Sequence, residues 1–122
     1  MQFDNNKPIY LQICDMIEEN VIDGVWLPNN RIPSVRQFAV DVEVNPNTIA
    51  NAFSELVERK VLYNKRGIGY FVSEEARTVI QARMRDEFYQ KELDQFFLRM
   101  ERCAISFEDV VKYYSEYQNK KN

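Results

Sequence analysis

Two helix-start signals stand close together in the middle of this chain, and a glycine-tipped hairpin follows them. Ser34 opens the first: with Gln37 it forms a capping box of the S-x-x-Q type, in which the hydroxyl accepts from a backbone N–H that the first turn leaves unpaired. Asn45 followed by Pro46 opens the second, an asparagine cap with proline at the first helical position, where a missing N–H costs nothing. Gly67 and Gly69 then sit between two short runs, Val61-Leu-Tyr-Asn-Lys65 and Gly69-Tyr-Phe-Val72, and permit positive φ and close backbone approach at the tip around Arg66-Gly-Ile68. Helix, tight turn, helix and hairpin in this order make a winged helix-turn-helix, whose second helix commonly enters the DNA major groove.

The flanking segments fit that frame. Pro8 is placed to open a helix in its first turn, Ile9, Ile13, Met16/Ile17 and Val21 repeat at helical spacing, and Gly24 is placed to end it. Pro28-Asn-Asn30 reads as a loop. The helix from Ser34 buries Val35, Phe38, Ala39 and Val42. The helix from Asn45 buries Ile49, Ala52, Phe53, Leu56 and Val57, leaving Asn47, Thr48, Ala50, Asn51 and Ser54 on an outward face without charge. That is unusual for a face that is merely solvated. After Ser73 no proline or glycine occurs. Ala76, Ile80, Met84 and Phe88 continue into Leu93, Phe96/Phe97 and Met100 as one long helical stripe, and Ser106 with Asp109 caps a final helix. The tail Asn119-Lys-Lys-Asn122 reads as frayed. The expected fold is mainly α with a small β-wing: a winged helix-turn-helix over residues 1–73 and a two-helix dimerisation or effector region over 74–122.

The net charge of −3 runs against a generic nucleic-acid binder, but position matters more than the sum. Pro28 to Val40 holds two arginines and no acid; Arg59 to Ser73 holds Arg59, Lys60, Lys65 and Arg66 and again no acid. Acids collect at Asp15, Glu18, Glu19 and Asp23, and along Asp86 to Glu101. One basic face on an acidic body steers a molecule onto DNA in a single orientation. The basic wing tip suits a phosphate backbone or a narrow minor groove. Its plainer reading is a solvated turn.

Catalysis finds no support. Histidine, the commonest acid–base group, is absent. There is no G-x-x-x-x-G-K phosphate cradle, and Cys14 and Cys103 lie far apart without companion ligands, so neither a metal nor a cofactor is expected. Their sparse usage points to reduced thiols and a cytoplasmic location. The opening Met1–Lys7 segment lacks the basic-then-apolar order of a signal peptide, and no apolar run approaches the roughly 20 residues of a membrane span.

Pro8-Ile-Tyr-Leu-Gln-Ile13, Gly24, Arg31-Ile-Pro-Ser-Val-Arg36, Val44-Asn-Pro-Asn-Thr48, Ala52-Phe53, Leu56 and Gly67-Ile-Gly-Tyr-Phe-Val72 together resemble the GntR family of bacterial transcription factors, and the short C-terminal part resembles its YtrA-like branch. The resemblance implies a sequence-specific regulator, most often a repressor, acting as a homodimer on a palindromic double-stranded DNA operator. It implies DNA contact by Arg36 on the first helix of the pair, by Asn45, Asn47 and Thr48 at the start of the recognition helix, and by Lys65, Arg66, Gly67 and Gly69 of the wing, with Arg31 and Ser34 facing the DNA backbone. Asn51 joins this set from its place on the uncharged helix face. Pro46 stands where many members carry a base-reading arginine. Glu43 and Lys60 each replace a common glycine, and Tyr70 replaces a common threonine.

Several residues have a structural reading beside the functional one. Ser34 and Asn45 are helix caps whatever else they do, and Arg36 has Glu43 nearby as a possible surface partner. The C-terminal aromatics suit a core, a ligand pocket or an interface; two helices bury little alone, which favours a dimer through Phe88, Leu93, Phe96, Phe97, Met100 and Tyr114. The alternatives to a plain DNA-binding dimer are a protein-interaction module built on a winged helix, motivated by the acidic total charge, and a ligand-gated regulator with a pocket among these aromatics.

Overall fold

A computed structural model describes residues 3–121. Met1, Gln2 and Asn122 lie outside the described residues, and with them parts of the N-terminal and tail readings. The chain divides into two compact units, Met1–Arg83 and Met84–Asn122. The first unit runs past the wing into the next helix because Ala76 and Ile80 are buried.

In the first unit, α1 (Ile9–Ile22), α2 (Val35–Val42) and α3 (Pro46–Glu58) precede an antiparallel hairpin of β1 (Leu62–Lys65) and β2 (Gly69–Val72), and α4 (Ala76–Glu87) follows. Ile13, Ile17, Phe53, Leu56, Leu62 and Val72 fill the core where α1 lies on α3 and the hairpin closes beneath them. An aromatic chain crosses it: Trp26 to Phe38 at 6.4 Å, Phe38 to Phe53 at 5.9 Å and Phe53 to Tyr70 at 4.8 Å, the last two edge-on. Pro8 occupies the cap of α1 and not its first turn, and accepts from the N–H groups of Leu11 and Gln12.

The segment before α2, legible in sequence only as a loop, is stitched to the free edge of β2. Asn29 N–H donates to Val72, Val72 N–H to Asn30 and Ile32 N–H to Tyr70, and Arg31 pairs with Phe71. The wing strand therefore has hydrogen-bonded partners on both sides.

Four helices end in the same way. After α1, Val25 N–H reaches Asn20 and Gly24 N–H reaches Val21, the paired bonds of a Schellman turn. Glu43, Lys60 and Ala104 repeat the pattern after α2, α3 and α5 (Leu93–Arg102), at φ +57°, +68° and +56°. A left-handed residue at that position is what the motif requires, and this explains the glycines expected at 43 and 60. The side chains actually there carry strain of about 1–2 kcal/mol each.

The polar interior departs from the sequence reading. Glu18, grouped above with surface acids, is fully buried. Its Oε1 accepts from Arg59 at 3.2 Å and from Arg83 of α4. Oε2 has no hydrogen-bond partner among the described residues. Burial pushes the Glu18 carboxyl above its ordinary range, and the two guanidiniums offset only part of that. The neighbouring Cys14 thiol, also buried, is pushed up to about 11 and stays protonated at neutral pH.

The second unit shows a further departure. The long stripe is not one regular helix: Phe88–Glu92 form a π-helical segment before α5, closed by the Leu93 N–H donating to Phe88. Met84 to Phe88 is a step of four, but Phe88 to Leu93 is a step of five, and the wider turn keeps both on one face. The capping reading of Ser106 holds in full: Asp109 N–H donates to the hydroxyl and Ser106 N–H to the Asp109 carboxylate. α6 (Phe107–Lys121) continues through the tail read as frayed, where the Lys121 ammonium lies 5.0 Å from the Tyr117 ring centroid.

Two stability measurements test these points. Glu43→Gly and Lys60→Gly should each raise the unfolding free energy measured in urea, by about 0.5–1 kcal/mol after the greater unfolded-state freedom of glycine is subtracted. For Glu18, the folded chain holds its proton to higher pH than the unfolded chain, so stability falls as pH rises from 4.5 towards the raised value. The wild type should lose stability relative to Glu18→Gln across that window; parallel curves would show that the two arginines fully compensate the burial.

Candidate nucleic-acid interface

α3 is positioned by its buried stripe. Ile49, Ala52, Phe53 and Leu56 are inaccessible to solvent, which turns Asn47, Asn51 and Ser54 outward. Thr48 and Ala50 are half-buried beside them, and Val57, expected inside, is exposed. Over 13 residues the helix is about 20 Å long, enough to lie along a groove. Asn45 is exposed, and its Oδ1 accepts from Asn47 N–H at 2.8 Å, so its carbonyl oxygen is engaged in the cap.

Ser34 is exposed, and its oxygen accepts from Gln37 N–H at 3.1 Å. The reciprocal half of the capping box does not form, because Gln37 Nε2 donates to Asp41 at 3.0 Å. The Ser34 hydroxyl hydrogen is left free of that exchange. Arg36 is exposed on the first turn of α2, and no pairing with Glu43 occurs among the described residues.

The wing is built on alternation. Leu62 and Val72 face the core, while Tyr63 stacks on Phe71 across the strands at 5.5 Å and the Lys65 ammonium lies 4.9 Å from the Phe71 centroid. The three-residue tip is the one expected, Arg66-Gly-Ile68, with Ile68 N–H donating to Lys65. Gly67 adopts φ +79° and Gly69 φ +149°. At Gly69 a Cβ would stand 2.8 Å from Arg31 Nε. Arg31 therefore folds its guanidinium against the wing strand, a proximity that follows from the Arg31–Phe71 bridge and that the sequence does not reveal.

The ion pairs engage some of the basic residues and leave others open. Lys7, Arg59, Arg83 and Lys91 are paired with Asp15, Glu55 and Glu18, Glu18, and Glu87 respectively. Arg31, Arg36, Lys65 and Arg66 have no carboxylate partner among the described residues, and all four are exposed. An exposed cation without a partner retains its charge for an incoming anion.

In the second unit, Phe88, Phe96, Phe97 and Tyr114 are exposed, while Leu93 and Met100 are half-buried. A groove of about 430 Å³ runs between Phe88, Glu92, Leu93, Gln95, Phe96 and Arg99. Among the described residues no cluster of three or more His, Cys, Asp or Glu is placed to hold a metal, and no helix is long and apolar enough to cross a membrane.

Known proteins are similar to this chain in sequence and fold. The profile described as "Bacterial regulatory proteins, gntR family" matches residues 9–72. The chain is 34% identical over 111 residues to YhcF of Bacillus subtilis (strain 168), described as an HTH-type transcriptional regulator, covering 91% of this chain and 90% of that one. It is 28% identical over 113 residues to the HTH-type transcriptional repressor YtrA of the same organism, covering 92% and 85%. A crystal structure of a GntR-family regulator from Bacteroides thetaiotaomicron superposes with a TM-score of 0.76 at 37% identity, over 93% of this chain and 99% of that one. These are regulators of transcription and not enzymes. With its winged helix, its capped α3 and a profile match that runs from α1 to the end of the wing, this chain belongs to the gntR family of bacterial regulatory proteins, in its YtrA-like branch, and is a DNA-binding transcription regulator.

Proposed function

We propose that the chain is a cytoplasmic bacterial repressor that binds a palindromic operator as a homodimer. One observation carries the DNA side of this reading: Arg31, Arg36, Lys65 and Arg66, exposed and without a carboxylate partner among the described residues, fall on α2, the wing and the segment stitched to it, within the same unit as the uncharged outer face of α3. Asn47, Thr48 and Asn51 read base edges, since an asparagine amide pairs bidentately with adenine and a threonine methyl meets thymine. Arg36, Arg31, Ser34 and Asn45 hold the DNA backbone, and Lys65, Arg66, Gly67 and Gly69 bring the wing against it. The acidic total charge, which motivated a protein-interaction module, is accounted for by acids elsewhere on the chain.

The dimer reading rests on the second unit. Phe88, Phe96, Phe97 and Tyr114 leave more aromatic surface exposed than so small a helical unit covers, and Leu93 and Met100 extend the same apolar set. The groove beside Phe88, Leu93 and Phe96 is part of this face, so the same residues that would line an effector pocket serve the partner. Two α3 helices then enter successive major grooves about 34 Å apart.

Anisotropy titration with the DNA upstream of the chain's own gene tests the first part. Saturable binding that survives competitor DNA is expected, and its absence at low salt would refute the operator reading. Asn47→Ala should weaken that binding by about 1–3 kcal/mol and relax base preference at one position per half-site. Phe96→Asp should convert the dimer to monomer in sedimentation; a dimer that persists would move the interface away from α5.

A further inference from the structure

Ile68 stands at the apex of the wing with 54% of its surface exposed, the apolar side chain of the tip Arg66-Gly-Ile68. Gly67 and Gly69 lie on either side, so bare backbone flanks it. A Cβ at Gly67 would meet nothing within 4 Å, and open space surrounds the tip there. Around this one side chain the wing is cationic. Lys65 is the register partner of Gly69, Arg66 begins the tip, and the Arg31 guanidinium lies against Gly69. None of the three pairs with a carboxylate among the described residues. Cations on the flanks and a branched aliphatic at the apex match a narrow groove in a polyanion: the flanks meet phosphates and the apex meets the floor.

We propose that Ile68 is a specificity-determining residue that enters the minor groove beside the bases read by α3 and selects A·T pairs there. The inference rests on the DNA-facing orientation of the wing proposed above. In the minor groove, A·T and T·A pairs present only the adenine N3 and thymine O2 acceptors, whereas G·C adds the guanine N2 amino donor. A sec-butyl side chain accepts no hydrogen bond. Seated on guanine, it strips water from the amino group and returns nothing, which is unfavourable. Over A·T it meets sugar and adenine C–H groups instead. A·T-rich steps also narrow the groove and deepen its negative potential, which suits Lys65, Arg66 and Arg31 alongside. The cations read the potential; the apex adds rejection of the amino group.

Duplexes enriched by the chain from a random library supply the probe. Their flanking A·T pairs are replaced by G·C, or by inosine·cytosine, which keeps the carbonyl and ring-nitrogen acceptors of G·C in the major groove but lacks the minor-groove amino group. In anisotropy titrations the wild type should bind the G·C-flanked duplex about tenfold more weakly than the A·T-flanked one and the inosine·cytosine duplex about as well as A·T. Ile68→Ser, a substitution at an exposed loop position, should bind the A·T duplex nearly as well as the wild type and lose most of the G·C penalty, keeping only the part that the cations read. Equal wild-type binding to A·T and G·C flanks overturns the proposal. So does a penalty that persists undiminished in Ile68→Ser or extends in full to inosine·cytosine. In those cases an enriched common core still supports base reading by α3; failure to enrich any sequence overturns both readings.

Discussion

The winged helix is organised around a buried carboxylate. Glu18 of α1 lies wholly inside the first unit and accepts from Arg59, at the end of α3, and from Arg83, on α4. Arg59 is itself held by Glu55 at 2.9 Å. One carboxylate thus ties the helix that carries the core, the helix that carries the candidate reading face and the helix that follows the wing. Such a contact is expensive in isolation, since removing one side of a buried ion pair costs about 3–5 kcal/mol. Apolar packing fixes that α1 and α3 meet; the charge network fixes the arrangement in which they meet, because a guanidinium and a carboxylate tolerate little displacement.

The same network bears on function by exclusion. Arginines committed to Glu18 are not available to phosphate, whereas Arg31, Arg36, Lys65 and Arg66 are uncommitted. Net charge is a poor guide here. What matters is which cations stay open beside the candidate reading face, and those on α2 and the wing have no carboxylate partner among the described residues. Arg31 joins the wing group because the segment Asn29–Ile32 pairs with the outer edge of β2, and Gly69 makes room for its side chain.

Much of the fold was legible in the sequence, because it rests on local chemistry. Ser34, Asn45-Pro46 and Ser106/Asp109 cap helices through bonds to residues within one turn, and the structure forms all three caps, although Gln37 turns to Asp41 and leaves the Ser34 box half made. The wing tip is likewise set by Gly67 and Gly69. The π-helical segment also has a signal in the sequence: the step of five from Phe88 to Leu93 in a stripe otherwise spaced by three and four. Helix ends at Glu43 and Lys60 were harder, since a side chain there is tolerated only because the paired Schellman bonds hold the left-handed turn.

The sequence by itself determined the order of elements, the polar face of α3 and the kind of partner that face suits, since caps, periodicity and turn glycines act over a few residues. Only the tertiary structure decided that Glu18 is interior, that Arg83 is structural and that Arg31 belongs to the wing. Those outcomes depend on contacts between residues far apart in the chain, where a carboxylate or a guanidinium looks the same in sequence whether it meets water, an ion partner or DNA.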